Sequence, residues 1–196
     1  MAPDRSAGTT GDDSRVVVLV PIKTFDQAKN RLATRLDPEA RMELARTMAR
    51  QVLAAAAPHD VRVVCDDPAV AEFAAAEGAG VVHVEVAGLN PAITAAVAQV
   101  TPEADHVIIA HADLPRATSL DGLVEPGAVT IVPDRHHDGT NVMALPTGVG
   151  FNFAYGRGSL HAHIAEALRC GLDVTLRQVV DLQWDVDTPD DLDETS

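Results

Sequence analysis

Lysine is nearly missing: Lys23 and Lys29 are the only two in 196 residues, and the other positive side chains are arginines. With 29 acidic side chains and a formal charge of −14, the chain has no broad basic face, which argues against general nucleic-acid binding. An anionic ligand must therefore be met by a local cluster of cations or by a metal. Aromatic residues make up only 3%, and alanine and valine take their place, a balance that leans towards α/β layers rather than an aromatic-rich β-sandwich. The two cysteines, Cys65 and Cys170, form neither a CxxC nor a ligand-spaced cluster. They read as buried thiols of a reducing cytosol, which places the protein in the cytoplasm. No apolar run reaches membrane-spanning length, and the polar opening "MAPDRSAGTTGDDS" has no hydrophobic core of a secretory signal. Three catalytic motifs are missing as well. There is no GxxxxGK[ST] phosphate loop, no GxSxG nucleophile elbow and no HExxH zinc pair, and the eight histidines fall at no metal-ligand spacing.

What is present is a regular alternation. "RVVVLVPI" (15–22) is a continuous β-branched run, as in a strand buried on both faces. Asp37-Pro38 opens a helix with Leu44, Met48 and Val52 at spacing four, ended by Pro58. Strands follow at 61–65, 80–86 and 105–112, with helices between them, one closed by Gly78 and one capped by Asn90 with Pro91 at its first position. Two further strands, 128–134 and 141–146, flank the polar turn "RHHDGT". A helix over 159–171 is capped by Ser159 and Gly171, one or two late strands lie in "DVTLRQVVDLQWDVDTP", and "TPDDL" starts a short terminal helix. The pattern predicts one α/β domain over 15–192, a doubly wound and mostly parallel sheet, with a disordered arm at 1–14 and a tail at 193–196.

In such a sheet ligands collect at the carboxyl ends of the strands. Four polar segments belong there. The first, "PIKTFDQAKNRL", holds both lysines and Arg31. These three cations suit a polyphosphate, although the same spacing also fits a solvated helix face. The second is "HADLP", whose Asp113 follows a buried strand and is placed to hold Mg²⁺ together with substrate phosphates. Asp before Leu-Pro is equally a turn former. The third is "WDVDTPDDL": Asp185 and Asp187 are two apart on a predicted strand, so only one faces a given side. The plainer reading makes Asp187-Thr188-Pro189 a helix cap. The fourth combines Thr140 of "DGTNV" with Gly156 and Ser159 of "YGRGSL", two hydroxyls and a glycine that permits close approach to an anion.

In order, "VPIKTFDQAKNRL", "GLNPAITAA", "HADLP", "DGTNVMAL", "FAYGRGSLHAH" and "DVDTPDDL" resemble the CofC/FbiD guanylyltransferases of coenzyme F420 biosynthesis, over residues 15 to 192. The wider group, the single-domain nucleotidyltransferase (GT-A-like) fold, usually opens on a Gly-rich LxGGxSxRMG loop that this chain replaces with its lysine stretch. The resemblance implies transfer of GMP from GTP to a phosphorylated three-carbon acid, with release of pyrophosphate. It implies Mg²⁺ on Asp113 and Asp187, and catalytic charge from Lys23, Lys29 and Arg31. The acceptor would lie on Thr140, Gly156 and Ser159, and the nucleotide on Lys23 and Asn90. Phosphoenolpyruvate is the expected acceptor, as in actinobacterial members, with 2-phospho-L-lactate and 3-phospho-D-glycerate left open. A downstream F420 transferase would take the product, and a homodimer is admitted without being required. Two other readings stand beside it. Asp185-Val-Asp187 mimics the DxD of sugar-nucleotide-dependent transferases, and a non-catalytic nucleotide-binding protein would need no metal.

Overall fold

The structure, a computed structural model, describes residues 14–26 and 28–193. The expected arm and tail fall almost wholly outside the described residues. Seven strands form one sheet: β1 (Val16–Pro21), β2 (Asp60–Cys65), β3 (Gly80–His83), β4 (His106–Ala110), β5 (Ala128–Pro133), β6 (Thr140–Pro146) and β7 (Asp173–Leu176). Their spatial order is β3-β2-β1-β4-β6-β5-β7. All neighbours pair parallel except along β6, which runs against both β4 and β5. This is the expected mostly parallel sheet with one reversed strand.

Helices cover both faces, as a doubly wound sheet requires. Alternate β1 side chains part company: Val18 and Val20 pack with α1 (Pro38–Ala56) and α2 (Pro68–Ala76), while Val17 and Leu19 pack with α3 (Leu89–Val100) and α4 (Ser159–Arg169). Period-two alternation with both faces covered is why the strand reads as an unbroken apolar run. The α1 start is as expected, with the Asp37 carboxylate accepting from the Ala40 N–H at 2.8 Å. Two short helices, α5 (Val180–Gln183) and α6 (Pro189–Asp193), complete the described chain.

Four local expectations need correction. Gly88 (φ +97), not Asn90, stands at the start of α3, and Gly158 (φ +72), not Ser159, at the start of α4. In both cases a glycine in a positive-φ conformation makes the turn into the helix, which leaves the polar side chain one or two positions inside for other work. One late strand forms, within the one or two expected, but it does not take in the two aspartates expected on a strand. The segment 184–188, with Asp185 and Asp187, is not in the sheet, because its middle residue Val186 is buried with Leu32 and Met48 in a separate small cluster. The third strand also stops at His83 rather than continuing to 86.

Candidate active site

The lysine stretch leaves the carboxyl end of β1 as a loop pinned by apolar anchors. Phe25 is buried edge-on against Phe73, with ring centroids 5.0 Å apart, and Leu32 is fully buried. Between these anchors Lys29 adopts φ +54, ψ +39, immediately before a single 3-10 turn over Asn30–Leu32. A non-glycine residue in this region costs about 1 kcal/mol and persists where the surroundings over-determine it. The conformation aims Lys29 inward, leaving its side chain only 11% exposed.

There it meets both predicted metal ligands. Lys29 Nζ lies 2.5 Å from Asp113 Oδ2 and 2.9 Å from Asp187 Oδ1. Burial alone would push the lysine down, but the two carboxylates outweigh it and hold its pKa above the ordinary lysine value. Burial likewise opposes ionisation of Asp113, yet the Lys29 ammonium, with His111 adding to it, holds that carboxyl below its usual range. Asp113 Oδ1 is buried and has no partner. Asp187 also meets Arg31, Nη1 to Oδ2 at 3.4 Å, on the exposed rim. Asp185 turns aside towards Arg135, at 3.9 Å. Burial and then the charges of Asp113 and Asp187 push its pKa up. The two aspartates thus face different ways, and Asp187 is the one that joins Asp113.

The segment that carries Asp187 is held from behind. The Trp184 ring has a guanidinium carbon within 4.3 Å from each of Arg116 and Arg135. Arg135 also donates to the Asp185 carbonyl at 3.0 Å and pairs with buried Asp191. Asp191 in turn accepts from the Asp187 and Thr188 N–H groups at 2.8 and 2.6 Å, the backward reach of a capping box at the start of α6. The helix-cap reading of this stretch and its place beside Asp113 are therefore both realised, by different side chains.

The third group lies where β6 begins beside the end of β4, joined by the His111 N–H to the Asn141 carbonyl at 3.0 Å. Thr140 and Ser159 are both buried. Asp138 ties their segments together, its Oδ2 accepting from Gly158 N at 3.1 Å and its carbonyl from Leu160 N at 3.1 Å. His163 Nε2 accepts from the Ala154 N–H at 3.0 Å, so the ring proton sits on Nδ1 and is donated to Thr140 Oγ1, 3.0 Å away. The Thr140 hydroxyl is left as a donor. Asn90 clamps the backbone of Tyr155 from both sides, donating to its carbonyl at 3.2 Å and accepting from its N–H at 2.7 Å. The Tyr155 ring lies tilted against that of His111, centroids 5.2 Å apart, and its hydroxyl and His111 Nε2 are both buried without partners. Orphans of this kind mark a place for water or a ligand.

Burial holds His163 at a pKa of about 4, below the ordinary 6.5. The folded state thus binds fewer protons than the unfolded chain between those values, so the stability that neutral His163 confers is complete above pH 6.5 and is lost as pH falls towards 4. The loss is expected to be on the order of 3 kcal/mol. Urea unfolding at pH 7.5 and pH 5 should show a steeper loss for the native protein than for His163→Gln.

A cleft of about 480 Å³ gathers Lys23, Lys29, Arg31, Asp113 and Asp187, with His111 on its wall. A second, of about 450 Å³, opens over the carboxyl ends of β2 and β3 and shares Lys23 and Leu89 with the first. Thr140, Gly156, Ser159 and Asn90 line neither. Sequence reasoning missed His111, Tyr155, His163, Arg135 and Asp191. Only His111 carried a signal, its place two residues before Asp113.

A family model described as "Guanylyl transferase CofC like" matches residues 16–196. A phosphoenolpyruvate guanylyltransferase of Sphaerobacter thermophilus is 36% identical over 189 residues, covering 91% of each chain. One of Roseiflexus castenholzii is 36% identical, covering 89% of this chain and 84% of the relative. Among solved structures, a nucleotidyl transferase from Methanothermobacter superposes with a TM-score of 0.62 at 14% identity, over 92% of this chain and 95% of the other, a likeness of fold.

Proposed function

The chain belongs to the CofC-like guanylyl transferase family and is a nucleotidyltransferase, and from that premise we propose that it transfers GMP from GTP to the phosphate of phosphoenolpyruvate. The observation that carries the reading is the pair Asp113–Asp187 converging on one cation at the mouth of a cleft lined by Lys23 and Arg31. Guanosine takes the cleft over β2 and β3, and the triphosphate crosses Lys23 into the other. The acceptor approaches from the side of Thr140, Gly156 and Ser159. Asn90 acts through Tyr155, by fixing the wall between nucleotide and acceptor.

An acceptor phosphate oxygen forms a bond to the α-phosphorus, the bond from that phosphorus to the oxygen bridging the β-phosphate breaks, and pyrophosphate leaves with the electron pair. The acceptor oxygen is already anionic, so no general base is needed. Catalysis reduces to positioning and charge neutralisation. Lys23 and Arg31 neutralise the triphosphate, and the Thr140 hydroxyl, its donor role set by His163, is offered to the acceptor.

The donor set also fits a divalent cation. Asp113 and Asp187 already hold a positive charge between them, and Asp113 Oδ1 is a buried oxygen with an unmet demand. Among the described residues no group of three or more such ligands is gathered, as suits Mg²⁺, which takes one or two carboxylates and completes its shell with water and phosphate. Bound there, it would stabilise charge on the transferring phosphoryl group. The family places the product in coenzyme F420 biosynthesis, where a downstream transferase would consume it.

Pyrophosphate release from GTP and Mg²⁺, assayed with phosphoenolpyruvate, 2-phospho-L-lactate and 3-phospho-D-glycerate separately, is the test. Release with phosphoenolpyruvate alone is expected. Release with another acceptor alone would reassign the substrate. Transfer from a sugar nucleotide, with no release from GTP, would overturn the reading.

A further inference from the structure

We propose that Lys29 is a tethered counter-ion that competes with the divalent cation for Asp113 and Asp187, so that the cation enters only when a nucleotide draws the lysine away. The inference rests on the guanylyltransferase reading and adds to it an order of events and a second station for one side chain.

Two carboxylates aimed at a common point repel one another, and the pair is stable in the free protein because an ammonium stands between them. At 2.5 and 2.9 Å from their oxygens, Nζ fills the space a divalent cation would need, since such a cation binds the same oxygens at about 2.0–2.1 Å. Both cations cannot hold both oxygens together. The lysine is largely shielded from water, so an incoming hexahydrated ion must displace it and shed its own water as well. Free divalent cation is a weak competitor for that reason.

A nucleotide changes the balance. Lys29 lines the same cleft wall as Lys23 and Arg31, so a triphosphate lying there offers the ammonium new anionic partners within the swing of its four-carbon stem. The backbone need not move. Phe25 and Leu32 pin it on either side, and only the flexible side chain changes station. The bare Asp113 Oδ1 shows that the ammonium meets the site's demand only in part, which leaves the exchange favourable once phosphates supply its alternative. A permanent structural ion pair would behave differently: removing the lysine would then loosen the carboxylates and weaken any metal binding.

Manganese(II) binding to the free protein, followed by the loss of its electron paramagnetic resonance signal, separates the two. Without nucleotide, Lys29→Met and Lys29→Gln are expected to bind Mn²⁺ between about 5- and 150-fold more tightly than the native chain, the range usual for coupled sites. With GTP added, the gap should close. Equal or weaker Mn²⁺ binding in both folded variants would overturn the proposal. Should the variants not fold, the native protein decides alone. Its Mn²⁺ affinity must rise on adding GTP beyond the affinity of GTP itself for the ion, and no rise overturns the proposal. Exchange without pyrophosphate release from GTP, whichever phospho-acid is supplied, would spare this inference and sink the guanylyltransferase reading. Release without exchange would do the reverse.

Discussion

Asp113→Asn is expected to lower GTP-dependent pyrophosphate release by roughly 10³-fold, with the protein still folded. The substitution keeps shape and removes one charge. Asparagine can still accept from Lys29, and Asp187 remains 2.9 Å from the same ammonium, so the stability loss should be about 1–2 kcal/mol, less than the 3–5 typical of an orphaned buried charge. The chemical step loses more. A metal on this pair would offset charge on the transferring phosphoryl group by several kcal/mol, and about 4 kcal/mol corresponds to three orders of magnitude in rate. Pyrophosphate assays beside thermal melting separate the two effects. A variant within tenfold of the native rate would place the metal elsewhere.

Arg135→Met is expected to cost about 2–4 kcal/mol of stability and to raise the Mg²⁺ concentration needed for half-maximal rate. Arg135 pairs with Asp191, whose side chain is 4% exposed, covers Trp184 and donates to the Asp185 carbonyl. Without it a buried carboxylate keeps only the Asp187 and Thr188 N–H groups and the Thr188 side chain, and the segment behind Asp187 loses its clamp. Because the carboxylates themselves survive, excess Mg²⁺ should recover much of the rate, which it cannot do for Asp113→Asn. Arg135→Lys should restore little, since one ammonium cannot serve three partners that a planar fork reaches together. Urea midpoints and Mg²⁺ titrations of the rate check both halves. Unchanged stability would mean that the segment is held by Val186 and its neighbours alone.

The sheet was legible because its strands are long β-branched runs punctuated by Gly, Pro and Asp. The reversal of β6 was not, since its residues 140–145 are all buried and a fully buried run carries no mark of direction. Asp113, Asp187 and the lysine stretch were readable as three segments due at one end of the sheet, and they do meet. Their pairing was not readable. Both lysines looked destined for phosphate, whereas Lys29 is found between the aspartates, a consequence of a left-handed backbone turn that no spacing announces. Asn90 and Ser159 looked like helix caps because the glycines ahead of them signal turns just as strongly. His163 was set aside with the other histidines for want of metal-ligand spacing, and only its contacts with Ala154 and Thr140 give it a task.

The reversed strand has a consequence for how such a protein diversifies. Because β6 runs backwards, its first residues, not its last, arrive at the mouth of the sheet, next to His111 just past the end of β4. On the proposed placement of the substrates, the strands on one side of β4 would serve one reactant and those on the other side its partner, with a single seam between them. On that placement, substitutions at Thr140 or around Tyr155 would change which small acid is accepted without disturbing the half assigned to the nucleotide. A lineage could exchange one acceptor for another by a few steps on one flank, inheriting the other flank intact.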